Sequence, residues 1–164
     1  MSRGFVKEDD LEHAGTDLPE RPLSDLPNYV TPHGYWLLGQ SAKKLDAERA
    51  LLIKRKDDDV AKQKLANVDR DLRYYSARLE SAILVDHAQQ TKDSVLFGAT
   101  VEVEDDEGNT HTFAIVGEDE ADVAANKVSW ASPLAKALIG HKVGENVVWK
   151  RPAGDLNLEI IKIS

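Results

Sequence analysis

Between Leu38 and Leu52, apolar residues return at alternating four- and three-residue steps, and after a short charged break the rhythm resumes. The first stripe is Leu38, Ala42, Leu45, Arg49 and Leu52; the second is Ala61, Leu65, Val68, Leu72, Tyr75, Leu79 and Ala82. Alternating threes and fours keep one stripe of a helix turned toward a partner helix, which is the seam of a coiled coil. No glycine or proline interrupts the chain between Gln40 and Phe97. "TPHG" supplies a start signal, with Thr31 as N-cap and Pro32 at the first helical position. Two such helices joined by a short break make an antiparallel hairpin. The break falls at Lys56 to Asp59, inside "KRKDDDVAK", so Asp57, Asp58 and Asp59 are expected at its tip.

Beyond the polar linker "DHAQQTKD", Asp86 to Asp93, the period changes to two. "VLFGATVEVEDDEGNTHTFAIVG" reads as two strands joined by a turn at Asp106-Glu107-Gly108-Asn109. "NKVSWAS" predicts another strand, and "SPLAKALIGH" a short helix capped by Ser132 with Pro133 at its first position. "ENVVWKRPAGDLNLEIIKIS" predicts two closing strands around a "PAGD" turn. The expected fold class is α+β: a coiled-coil hairpin over residues 31–85, a linker over 86–93, and a small antiparallel sheet domain with one short helix over 94–164.

Residues 1–30 precede this pattern. They hold Pro19, Pro22 and Pro27 and seven acidic residues against three basic ones, without sustained apolar periodicity. The segment reads as an acidic, disordered tail, in which short apolar clusters such as Phe5-Val6 could dock on a partner.

Composition narrows the function classes. Among 164 residues, 41% are hydrophobic and 30% charged, and there are no cysteines, so disulfides, thiolate zinc sites and thiol catalysis are excluded and a reducing cytoplasm is expected. No apolar run approaches the ~20 residues of a membrane span. The opening "MSRGFVKEDDLEH" lacks the apolar core of a signal peptide. A net charge of −8 argues against free nucleic-acid binding, which needs clustered Lys and Arg. Contact with nucleic acid is expected only indirectly, through another protein.

Candidate chemistry concentrates at the aspartates. At a turn, they could form a metal-holding tip. They could equally cap the second helix and satisfy its free N–H groups. The surrounding Lys54, Arg55, Lys56, Lys62 and Lys64 read as a solvated basic collar. His13, His33, His87, His111 and His141 are scattered, with no pair four residues apart. Gly117 to Asn126, "GEDEADVAAN", matches no calcium loop and reads as a solvated loop. Trp36, Trp130 and Trp149 read as packing residues.

The stretches "VLFGATVEV", "DDEGNTHTFAIVGEDEAD", "VSWASPLAKALIGHKVGE" and "PAGD", with "DRDLRYYSARLESAILVD" before them, resemble the GreA/GreB family of bacterial transcript-cleavage factors over roughly Thr31 to Ser164. The ordered set carries the resemblance; a lone "SP" or "PAGD" would not. The resemblance implies a sheet domain similar in fold to FK506-binding proteins, docked on the rim of the secondary channel of RNA polymerase. It also implies a coiled coil entering that channel, with tip acids helping hold the polymerase's second magnesium while backtracked RNA is cleaved. A monomer is expected that is not itself an enzyme, has no permanently bound cofactor, and shares Mg2+ only with the polymerase.

The sequence departs from the family in three places. The usual tip, roughly Gly-Asp-x-x-Glu-Asn-x-Asp/Glu-Tyr, is absent. The hairpin is about one heptad per arm shorter, roughly 10 Å at 1.5 Å per residue. Ala131 stands before Ser132-Pro133 where the family has aspartate, so the expected docking set is Ala131, Ser132, Pro133 and Leu134. These departures keep a second reading open: a channel binder that competes with cleavage factors without stimulating cleavage. A prolyl isomerase is suggested by fold analogy alone, and Phe97, Phe113, Trp130 and Trp149 are expected to be used up by a small core.

Overall fold

The structure, a computed structural model, describes residues 18–55 and 57–164. They divide into two compact units: a hairpin unit of Leu38–Ser81 with the segment ending at Asp25, and a sheet unit of Leu26–Leu37 with Ala82–Ser164. Among the described residues, no helix is long and apolar enough to cross a membrane.

In the hairpin unit, α1 (Pro32–Ile53) and α2 (Asp59–Ser81) are the two expected helices. The seam forms where the spacing placed it. Leu52, Ala61 and Val68 are buried, and Leu45, Leu65 and Leu72 pack against them. Arg49, the polar member of the first stripe, closes the same seam by an ion pair to Asp69 at 2.7 Å. Ala82 lies just past the end of α2.

Part of the expected tail is ordered against the hairpin. The Arg21 guanidinium lies 3.8 Å over the Tyr74 ring and 3.4 Å from the Asp71 carboxylate, and Arg73 pairs with Glu20 at 2.6 Å. In the sheet unit, Asn28 and Val30 are buried at 5% and 3% exposure. Glu20 and Arg21 are thus held by ion pairing and cation–π stacking, and Asn28 and Val30 by burial, none of which leaves a periodic trace. Phe5, Val6 and His13 lie outside the described residues.

The sheet unit opens with β1 (Tyr29–Val30), which pairs in parallel with β2 (Ile83–Leu84). Two bonds fasten it, Ile83 N–H to the Asn28 carbonyl at 2.8 Å and Val85 N–H to the Val30 carbonyl at 2.9 Å. The chain thus enters α1 and leaves α2 through paired strands. The expected linker is also structured, with a 3-10 turn at His87–Gln89 capped by Asp86.

The main sheet contains β3 (Thr100–Asp105), β4 (Thr110–Val116), β5 (Lys127–Ser129), β6 (Asn146–Trp149) and β7 (Leu156–Ile163), in the order β5-β4-β3-β7-β6. Gly108, at φ +84°, makes the β3–β4 turn, a conformation that costs glycine nothing. One pairing differs from the all-antiparallel expectation: β5 runs parallel to β4, Ala114 to Val116 facing Lys127 to Ser129. The intervening loop carries the chain back alongside Ala114 before β5 begins, so direction is set by the crossover and not by strand composition. Val101 and Val103 from β3, with Leu158 and Ile160 from β7, present alternate residues to one buried face. Helix α3 (Pro133–Leu138) covers that face with Leu134, Ala135 and Leu138.

Candidate functional site: hairpin tip and the start of α3

At the tip the three aspartates divide by role. Asp58 is the N-cap of α2: its Oδ1 accepts from Val60 N–H at 2.9 Å and Ala61 N–H at 3.4 Å. Its Oδ2 accepts from the Arg55 guanidinium at 2.5 Å. Arg55 first, then these backbone N–H groups, hold the Asp58 carboxyl below the usual carboxylate range. Asp57 and Asp59 are exposed and pair with no described charged residue. Asp59 opens the helix, where the free N–H groups favour a negative charge. The capping expectation for "DDD" thus holds for Asp58, and Asp57 and Asp59 are left facing solvent. Behind them Leu52, Ile53, Leu65, Arg55 and Lys62 line a concavity of about 150 Å³.

Two carboxylates suit magnesium that completes its shell elsewhere, because that ion is commonly held by one or two carboxylates plus other oxygens. Among the described residues no group of three or more His, Asp or Glu could hold a metal alone.

The second candidate surface lies at the start of α3. Ser132 caps the helix, its Oγ accepting from Ala135 N–H at 3.2 Å, and Ser129 Oγ accepts from Ala131 N–H at 3.1 Å. Pro133 is exposed, while Leu134 is 2% exposed and belongs to the core. Leu134 anchors the helix in the core, because the helix turns that side chain onto the sheet, and it also forms part of the floor of the neighbouring hollow. Beside Ser132 and Pro133 opens an apolar concavity of about 240 Å³, lined also by Phe113, Val123, Val128 and Trp149. Val123 is 87% exposed, and the Phe113 and Trp149 rings meet edge-to-face at 6.0 Å. Sequence reasoning assigned these aromatics to the core. They do pack against it, but they also line this hollow.

The loop Gly117–Asn126, expected to be solvated, is solvated only in part. The Glu120 side chain is 6% exposed and accepts from the Thr31 hydroxyl at 2.6 Å. Asp122 caps the 3-10 turn Val123–Ala125.

With this geometry in view, comparison with known proteins gives consistent results. Residues 90–164 match the family model described as "Transcription elongation factor, GreA/GreB, C-term". Transcription elongation factor GreB of Neisseria meningitidis serogroup B is 35% identical over 155 residues, covering 85% of this chain and 95% of its own. Transcription elongation factor GreA of Thermodesulfovibrio yellowstonii is 37% identical over 150 residues, covering 82% of this chain and 95% of its own. The crystal structure of GreA factor homolog 1 of Thermus thermophilus is 25% identical, covers 85% of this chain and 99% of its own, and superposes with a TM-score of 0.41. The chain belongs to the GreA/GreB family of transcription elongation factors.

Proposed function

We propose that this chain binds RNA polymerase at the rim of its secondary channel, extends the hairpin into that channel and stimulates the polymerase's own cleavage of backtracked RNA. The observation that carries the reading is the pair of exposed carboxylates, Asp57 and Asp59, at the end of a two-helix rod. A magnesium ion shared with the polymerase would supply activation of water and stabilisation of the leaving oxygen. The chain's own part is to carry two negative oxygen donors on a narrow support and keep them turned outward. Asp58 supports this by capping α2 and so ending the turn beneath them. The rim contact is assigned to Ala131, Ser132 and Pro133 with the adjoining apolar hollow, which suits an apolar side chain of the polymerase. The factor itself performs no catalysis on this reading.

The test uses a stalled, backtracked elongation complex with RNA shortening followed over time. Asp57→Asn with Asp59→Asn should abolish stimulation and leave binding intact, while Asp58→Asn, which keeps a capping oxygen, should retain most of it. If the double variant cleaves like wild type, the tip assignment is wrong.

A second reading has its own support. One of the three acids is committed to Arg55 and the helix cap, and Ala131 offers no carboxylate for docking. On that reading the chain occupies the channel and displaces cleavage factors without stimulating cleavage. Displacement of a cleavage factor with no RNA shortening by wild type identifies it. Rescue of cleavage by adding one heptad to each arm would assign the deficit to reach.

A further inference from the structure

We propose that Glu120 is a positioning residue that fixes the first turn of α1 within the sheet unit and thereby sets the root from which the hairpin extends. The functional consequence rests on the reading above; the anchor itself rests on local geometry. Helix α1 runs unbroken from Pro32 to Ile53, yet its residues through Leu37 belong to the sheet unit. The loop that meets this turn lies 89 residues away in sequence.

The contact is built from a relay. The Thr31 hydroxyl donates to Glu120 Oε1 at 2.6 Å while accepting from Gly34 N–H at 2.9 Å, using both capacities of a hydroxyl group. Lys127 Nζ stands 3.7 Å from the other carboxylate oxygen. The Glu120 side chain is 6% exposed, so its charge is sheltered and needs these partners. Two glycines make the approach achievable. A Cβ on Gly34 would fall 2.6 Å from Glu120 Oε1, and one on Gly117 would overlap the Tyr29 carbonyl oxygen. Neither glycine has a positive φ, so close approach and not backbone conformation accounts for both. A solvated loop would require neither the buried carboxylate nor the missing side chains facing it.

The test compares Glu120→Ala with Glu120→Gln in the full chain by amide hydrogen exchange and by RNA cleavage at saturating factor. Glu120→Ala should accelerate exchange in the first turn of α1 by roughly tenfold while α2, β3 and β7 stay at wild-type rates. Its saturating cleavage rate should fall severalfold at unchanged apparent affinity for polymerase. Glu120→Gln, which still accepts from the Thr31 hydroxyl, should restore both. Unaltered exchange in the first turn overturns the anchor, as does acceleration spread evenly through the sheet, which would mark a general loss of stability. A loosened turn with a wild-type cleavage rate overturns the positioning role. If wild type stimulates no cleavage, the proposed function fails, and the exchange pattern alone decides the anchor.

Discussion

In the hairpin unit, Leu52, Ala61 and Val68 are the buried cluster and Leu45, Leu65 and Leu72 lean on it; in the sheet unit twelve residues from four strands, one helix and the loop before the first of those strands are buried together. The first is a stripe, one side chain wide, with solvent on both flanks. The second is a closed core in which Ile115, Leu138, Leu158 and Ile160 lose all or nearly all of their exposure. A stripe leaves polar residues such as Arg49 and Asp69 to share the seam. A closed core gives a firm support and leaves hollows at its edges.

The sharpest challenge to this contrast is cavity formation in each unit. Leu138→Ala should cost about 2–5 kcal/mol, because the surrounding sheet cannot collapse into the space. Leu52→Ala should cost about 2 kcal/mol or less, since an open-sided seam relaxes and admits water. Urea unfolding monitored by tryptophan emission and by circular dichroism separates the two, as Trp36, Trp130 and Trp149 all lie in the sheet unit. Equal costs would remove the distinction.

Next in size is the surface at α3. Pro133→Arg should weaken polymerase binding roughly tenfold, about 1.4 kcal/mol, while circular dichroism shows the helices unchanged. Wild-type affinity in that variant would move the contact elsewhere. Ala131→Asp should strengthen binding by about 1 kcal/mol if a donor of the polymerase faces it.

Acid separates the units more gently. The Asp58 carboxyl is held low chiefly by Arg55, and that of Glu145 chiefly by the Lys142 backbone N–H with His141 beside it. A depressed folded-state pKa contributes stability that is complete above the unfolded value, about 4, and fades as pH falls through the folded one. Helicity should therefore decline below about pH 4 in wild type, and less steeply in Asp58→Asn. The smallest effect is expected from Arg49→Ala, whose half-exposed pair with Asp69 should be worth about 0–1 kcal/mol and weaken further in salt.

Periodicity made the hairpin legible. Seam spacing depends only on helix geometry, so Leu45, Leu52, Leu65, Val68 and Leu72 could be named from order alone, and Thr31-Pro32 marked where α1 begins. The strands, the Asp106–Asn109 turn and the Ser132 cap were legible for the same reason: their chemistry is local. Tertiary structure alone decided the rest. The parallel β4–β5 pair, the buried face of Leu134, the hollow beside Pro133, the ordering of residues 20–30 and the Glu120–Thr31 contact all join segments distant in sequence or turn a side chain toward one neighbour and not another. The three aspartates show the boundary most clearly. Their composition and spacing placed them at a turn, but which one caps and which two remain free depends on where the backbone N–H groups of Val60 and Ala61 and the Arg55 guanidinium come to rest in space.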